Sequence, residues 1–319
     1  MLTITAGLGG AAGDASTGWW VDSAMPLTVS KTKESPMFRS NTAMSYAGKV
    51  VAITGGARGI GYATAVALAG KGASVALGDL DGAEAQAAAG RLGVPAYGGQ
   101  LDVGNRASFQ NFISEVEQRL GPIDVLINNA GIMPLGRILL EEDGLTRKII
   151  DINLHGPIIG TKLVAPMMAV RGGGHIINVS SAVGRVALAG AATYSASKYG
   201  LIGFTEAARA ELRDSNIEVS CIVPMIVNTQ LGAGLSTVRG QRTVEATDVA
   251  DAIVRVIAKP RFETWVPFTG RLLYMLMSLI PHSWANAISR SVGAAHVLDH
   301  PDRGERGSYE STVRRLVGE

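Results

Sequence analysis

Two hydrophobic patterns alternate along most of the chain. Short apolar runs rich in β-branched residues recur at Val50–Thr54, Ser74–Gly78, Ile123–Ile127, His175–Ser180 and Ile217–Val223, with a further strand closing at Leu101-Asp102-Val103. Such runs have the length and continuity of strands buried on both faces of a parallel sheet. Between them lie helical patterns. An Ala-rich helix reaches about Gly70, and others cover Gly82–Leu92 and Arg106–Leu120. A long one is predicted from Glu141 to Met168, one from Tyr194 to about Arg213, and one over Ala246–Ala258. Strands alternating with helices from residue 50 to 223 predict a parallel, doubly wound α/β sheet.

The two ends read differently. Residues 1–45 have no apolar period and are rich in Gly, Ala, Ser and Thr, so a disordered or loosely attached extension is expected. Trp19-Trp20 could dock on the body or touch a membrane surface, and Met44 stands where an alternative start would leave the α/β region complete. No Lys or Arg precedes Lys31, and Asp14 and Asp22 interrupt the segment, so a secretory signal is not predicted and a cytoplasmic location is. After the α/β region, expected to span residues 46–260, an extension over 261–319 is apolar and then charged. Leu272, Met275, Leu276 and Leu279 fall on one helical face within Trp265–Ile280. This run of about ten apolar residues cannot cross a bilayer, which needs about 20. It reads as a helix packed on the core or on another subunit, or as an apolar wall for a greasy substrate that also touches a membrane surface. Asp299–Glu319 is expected to be a solvated tail with a short helix.

Composition narrows the chemistry. A formal charge of +2 over 319 residues, without a basic stripe, argues against nucleic acid. Cys221 is the only cysteine and sits in an apolar run, which excludes an internal disulfide; no metal site is predicted.

The chemistry-bearing residues lie where the predicted strands end. Gly55-Gly56-Ala57-Arg58-Gly59-Ile60-Gly61 joins the first strand to the first helix. Glycines there permit a tight turn, and the helix N-terminus offers free N–H groups to a pyrophosphate. Asp79 ends the second strand, where a carboxylate accepts both ribose hydroxyls of an adenosine and repels a 2′-phosphate. Arg58 pulls the other way, and the choice goes to Asp79, hence NAD over NADP; a cap by Asp79 on the helix Gly82–Leu92 is compatible with that ribose contact. Asp102 reads as a partner for an adenine edge or as a helix cap. Small residues at Ala130 and Gly131 would let the backbone pass close to a flat ligand, and Asn129 is placed to brace the strand ends. Asn153, in the long helix, is either a packing accident or part of a polar relay. Ser181 closes the fifth strand. Tyr194 and Lys198 stand four apart on one helical face, so the ammonium can lower the phenol's pKa from about 10 and make it a proton shuttle. Ser181 is placed to bond the oxygen whose proton Tyr194 handles, as a carbonyl–alcohol interconversion requires.

Together Thr54-Gly55 with Gly59-Ile60-Gly61, Asn128-Asn129-Ala130-Gly131, Asn153, Ser181 and Tyr194 with Lys198 resemble the motifs of the short-chain dehydrogenases/reductases, over roughly residues 46–260. The resemblance implies a Rossmann-like doubly wound sheet of seven parallel strands and hydride transfer between NAD(P) and an alcohol or carbonyl. It implies Tyr194 as acid/base, Lys198 as its partner and holder of the nicotinamide ribose, Ser181 as the group orienting the substrate oxygen, and Asn153 as holder of a water in the proton path. Gly55, Arg58, Gly59, Ile60, Gly61, Asp79, Asp102, Val103, Asn129, Ala130, Gly131 and Thr229 become cofactor contacts, together with Tyr194 and Lys198. A homodimer or homotetramer paired through the long helices is implied as well. Where the family has Pro-Gly after the sixth strand, this chain has Pro224-Met225, which makes Met225 a candidate intruder on the substrate side. Residues 230–245, with three glycines, suit a mobile flap over the site. The expected activity is oxidation of a lipophilic secondary alcohol, or reduction of its ketone, with NAD(H). The alternatives are an NADPH-dependent ketoacyl-type reductase and a non-catalytic cofactor-binding regulator. A serine hydrolase built on Ser181 lacks the G-x-S-x-G elbow.

Overall fold

Val50–Thr54 forms β1, buried along its whole length, and it runs inside the sheet with a parallel neighbour on each side. The computed structural model describes residues 46–234 and 244–279, with Arg306, Gly307, residues 309–311, Val313 and Arg314. The expectations for residues 1–45, and for most of the flap at 235–243, lie outside the described residues.

From β1 the chain passes through α1 (Gly59–Ala69), β2 (Ser74–Asp79), α2 (Gly82–Gly90), β3 (Ala96–Gln100), α3 (Arg106–Leu120) and β4 (Val125–Asn128). It continues through α4 (Asp143–Ile150), α5 (Gly156–Val170), β5 (Gly174–Val179), α6 (Ala192–Glu211) and β6 (Ile217–Pro224). Then come the two-residue partners β7 (Val227–Asn228) and β8 (Val244–Glu245), α7 (Ala246–Ala258), β9 (Glu263–Val266) and α8 (Phe268–Ser278). Seven parallel strands stand in the order β3-β2-β1-β4-β5-β6-β9. The order reverses between β1 and β4, and a crevice opens there beyond the strand ends.

Two apolar layers cover the sheet. On one face Ala65, Leu68, Ala88, Val249 and Ile253 of α1, α2 and α7 pack against Val51, Ile53 and Leu77. On the other, Phe109, Phe112, Ile159 and Ala208 of α3, α5 and α6 pack against Ala52, Leu126 and Ile176. His175 is buried in β5 with its Nε2 2.9 Å from Ser220 Oγ.

Four differences from the sequence expectation bear on the site. The helix expected over Glu141–Met168 is two helices joined by one wide π turn, Asp151–His155. Pro157 has no N–H to give to the Asn153 carbonyl, so the regular ladder is broken at that point. The seventh strand is β9, past the boundary expected at residue 260, and it takes Trp265 into the sheet. The cap of α2 is Asp81, which accepts the Glu84 N–H at 3.0 Å, and Asp79 is left for other partners. Asn105, not Asp102, caps α3.

The ends of the chain also depart from expectation. On α8 the apolar stripe is not core: Leu272, Met275, Leu276 and Leu279 are between 50% and 81% exposed. In the segment expected to be a solvated tail, by contrast, Arg306 is 1% exposed and Val313 is buried. Met225 directs its thioether toward α8, where a Cβ on Gly270 would lie 2.8 Å from its sulfur, and so packs against that helix.

Candidate active site

The crevice between β1 and β4 has one glycine-built wall. Gly55 adopts φ +61°, and a Cβ there would stand 2.9 Å from the Ala130 Cα. A Cβ on Gly61 would reach 2.2 Å from the Gly55 carbonyl oxygen, so no larger residue fits without moving backbone. The turn is fastened to the end of β4. Thr54 Oγ1 accepts the N–H groups of Asn129 and Ala130, both at 3.0 Å, and Asn129 Nδ2 donates to the carbonyls of Thr54 and Gly55, also at 3.0 Å. Arg58 precedes α1 without capping it through its side chain, and no acidic residue stands in the first turn, so the N–H groups of that turn face the crevice with their partial positive charge.

Asp79 lies over this turn, its Oδ2 accepting the Ala57 N–H at 3.2 Å and its Oδ1 the Asp81 N–H at 3.3 Å. Arg58 points to Asp81, 4.0 Å away, with both side chains more than half exposed. Leu101, directly before Asp102 and Val103, donates its N–H to the Asp79 carbonyl at 2.7 Å, which brings that pair to the same rim. Asp102 Oδ1 accepts the Gly104 N–H at 2.9 Å. Thr229 closes the rim from the far side, its methyl 3.6 Å from where a Cβ on Gly59 would be. A groove kept open by glycines, with unmatched N–H groups at a helix start and a carboxylate one strand away, fits a dinucleotide.

Gly131 leads to the second half of the site. A Cβ there would lie 3.2 Å from Asn153 Oδ1 and 3.6 Å from Lys198 Nζ, which places all three together. Asn153, on the π turn, accepts the Ile132 N–H and donates to the Ile132 carbonyl, both at 2.9 Å, and donates to Ser197 Oγ at 3.2 Å. Lys198 Nζ donates to the Val179 carbonyl at 3.0 Å and stands 5.7 Å from the centre of the Tyr194 ring. Ser181 Oγ accepts the Val183 N–H at 3.4 Å and shares a hydrogen bond with the Tyr194 phenol. The four residues named from sequence as catalytic therefore meet at one place, next to the groove.

The electrostatics differ from expectation in one respect. Burial pushes the Tyr194 phenol well above its ordinary value; the Ser181 hydrogen bond pulls it back in part, the Tyr309 phenol adds to the rise, and the Arg306 charge opposes it. Burial also pushes the Lys198 ammonium down, to about 8. Lys198 does not set the direction of the Tyr194 shift, because desolvation disfavours the charged form of both groups.

A family model described as short chain dehydrogenase matches residues 49–239. The chain belongs to the short-chain dehydrogenases/reductases. Membership makes it an NAD(P)-dependent oxidoreductase acting on CH–OH groups. This dehydrogenase is 35% identical over 219 residues to trans-4-hydroxycyclohexanecarboxylate dehydrogenase of Sinomonas cyclohexanicum, covering 65% of this chain and 84% of that one. It is 28% identical over 276 residues to estradiol 17-beta-dehydrogenase 11 of Mus musculus, covering 84% and 92%. The crystal structure of levodione reductase shares its fold with a TM-score of 0.65 at 24% identity, over 69% of this chain and 96% of that one.

Several residues that shape the dehydrogenase's site were given no role from the sequence. Ser197 links Asn153 to the Tyr194 carbonyl, donating to it at 2.7 Å. A buried bridge, Asn128 Nδ2 to Asn178 Oδ1 at 2.8 Å and Asn178 Nδ2 to Thr205 Oγ1 at 2.9 Å, ties β4, β5 and α6 beneath the site. Arg306 and Tyr309 reach it from far along the chain. Among the described residues no cluster of His, Cys, Asp and Glu could hold a metal; His296 and His300, four apart in sequence, lie outside them.

Proposed function

We propose that the protein interconverts a lipophilic secondary alcohol and its ketone with NAD(H). The observation that carries the reading is the meeting of Ser181, Tyr194, Lys198 and Asn153 beside a groove floored by Gly55, Gly59 and Gly61. NAD(P), when bound, supplies the nicotinamide carbon that gives or takes the hydride. Tyr194 gives the proton to the substrate oxygen in reduction and removes it in oxidation, while Ser181 donates a hydrogen bond to the same oxygen. The raised phenol keeps Tyr194 protonated at neutral pH, the form that reduction uses. Lys198 holds the nicotinamide ribose and relays the proton. Asn153 steadies the Ile132 segment and a water in that relay.

Asp79 favours NAD, because its carboxylate occupies the side of the groove where a 2′-phosphate would add like charge, and Arg58 is turned to Asp81. The lipophilic substrate is supported by the apolar cluster of Met133, Val183, Leu188, Ile226 and Leu231 around Tyr194, and by the unburied face of α8. That face also suits contact with a membrane surface. No helix among the described residues is long and apolar enough to cross one. We propose a cytoplasmic enzyme that works as a homodimer or homotetramer; light scattering on the purified protein tests the oligomeric state.

The deciding assay follows absorbance of the reduced cofactor with NAD and, separately, NADP against short, steroidal and long-chain secondary alcohols. Turnover of the bulky apolar alcohols with NAD, lost in Tyr194→Phe by roughly 10²-fold or more, is the expected result. Turnover that survives Tyr194→Phe would remove the catalytic assignment, and preference for NADP would remove the role of Asp79.

A further inference from the structure

Arginine is seldom fully buried, because its charge must be matched inside the protein by hydrogen bonds. Arg306 is 1% exposed, and its guanidinium is matched in an unusual way. Nη1 donates to the carbonyls of Leu231 at 3.1 Å and Ala233 at 3.2 Å, Nη2 to the carbonyl of Met133, and Nε to Glu310 Oε1 at 3.1 Å. The guanidinium also lies 5.1 Å from the centre of the Tyr309 ring. Tyr309 Oη in turn accepts the Met133 N–H at 2.7 Å. Both backbone polar groups of Met133 are thus held from the Arg306–Glu310 segment.

The two strips of main chain that Arg306 joins belong to different parts of the fold. Met133 follows β4, two residues past Gly131, whereas Leu231 and Ala233 follow β7 at the start of the loop expected to act as a flap. The side chains of Met133 and Leu231 both pack in the apolar cluster that holds Tyr194. Arg306 therefore crosses from one wall of the substrate side to the other. Its own segment is anchored in turn: Val313 is buried and Tyr309 packs in the layer that contains Ile132 and Ile149.

A lysine could not do this, since only a planar fork addresses three carbonyls and a carboxylate at once. We propose that Arg306 and Tyr309 are positioning residues that clamp the Met133 and Leu231–Ala233 segments at a fixed separation, and so select the substrate by the bulk of the group flanking the reacting carbon. The inference rests on the alcohol dehydrogenase reading and adds to it a determinant of size selectivity. The cofactor groove, built from Gly55–Gly61, Asp79 and Asn129, makes no contact with the clamp in the hydrogen bonds that form it.

The test uses the full chain with Arg306→Met and, as the milder change, Tyr309→Phe. Two quantities are read. Amide exchange by mass spectrometry reports on peptides containing Met133 and residues 230–233. The ratio of kcat/KM for a short and a bulky cyclic secondary alcohol reports selectivity, alongside KM for the cofactor. The clamp predicts exchange at Met133 at least about tenfold faster in Tyr309→Phe, because its N–H loses its acceptor. It also predicts a selectivity ratio moved by about tenfold in Arg306→Met while cofactor KM changes by less than about threefold. A uniform loss of activity with the ratio unchanged would mark a purely structural role and overturn the proposal, as would Met133 exchange equal to wild type. If wild type turns over no alcohol or ketone, the dehydrogenase reading fails by itself, and the exchange arm alone decides for or against the clamp.

Discussion

Asp79→Asn is the substitution that most sharply tests how the groove selects its cofactor. The change keeps the side chain's shape and an oxygen that can accept the Ala57 N–H at 3.2 Å, but removes the charge. Two unit charges of like sign about 4 Å apart repel by about 1 kcal/mol in water and about 4 kcal/mol at the effective dielectric of a protein surface. Discrimination against a 2′-phosphate by Asp79 is therefore on the order of fivefold to a thousandfold. Arg58 moderates it from a position more than half exposed and already facing Asp81. In the variant, kcat/KM with NADP should rise at least about tenfold. With NAD it should fall severalfold, because a charge-assisted bond to the ribose hydroxyls becomes a neutral one worth about 1 kcal/mol less. Steady-state kinetics with both cofactors at about 20 mM and about 200 mM salt measures this, and the gain with NADP should shrink as salt screens the exposed charge. A change in the NADP-to-NAD ratio of less than about threefold would refute the reasoning, whichever cofactor wild type prefers.

Other outcomes follow from the same geometry. Because burial raises the Tyr194 phenol, alcohol oxidation, which needs the phenolate, should gain about tenfold in kcat/KM per pH unit across the neutral range, while ketone reduction stays nearly flat; an oxidation plateau already reached at neutral pH would contradict this. Gly61→Ala places a methyl 2.2 Å from the Gly55 carbonyl oxygen, so it should lose about 1–3 kcal/mol of stability and most of its dinucleotide affinity, read by chemical denaturation and by cofactor fluorescence titration. His175 is held neutral, its pKa pushed down to about 4 chiefly by burial and secondarily by the Arg209 charge. The unfolded chain takes that proton near pH 6.5 and the native one only near 4, so the contribution is complete above 6.5 and is lost as pH falls through that window. The loss is about 3 kcal/mol, and urea midpoints at several pH values should show a slope that His175→Gln flattens.

The β/α alternation was legible because a strand buried on both faces needs an unbroken apolar run, and β1, β2, β4, β5 and β6 each have one. β9 was hidden because its four residues include Glu263 and Thr264, and its identity depends on pairing with Cys221–Pro224 rather than on any local pattern. The π turn was equally invisible: Asp151–His155 has ordinary helical composition, and its width follows from Pro157 and from what Asn153 bonds across space. The site residues could be named because Gly55, Asn129, Ser181, Tyr194 and Lys198 keep fixed distances along the chain. Arg306 could not, since an arginine in a charged stretch reads as solvated, and only three carbonyls from loops 73 to 173 residues away make it a core residue.

The bonds between Thr54 and Asn129 bear on how this protein meets its cofactor. They span the one place where the sheet's connectivity reverses, so the two halves of the crevice are stitched together by the fold itself. A dinucleotide entering such a crevice has little ordering of the chain to accomplish, and its binding free energy is not diverted into folding. Saturating cofactor should then stabilise the fold by simple mass action, by about 2.7 kcal/mol at a hundredfold excess over its dissociation constant, without altering the denaturant m-value. The groove belongs to the native architecture whether or not anything lies in it.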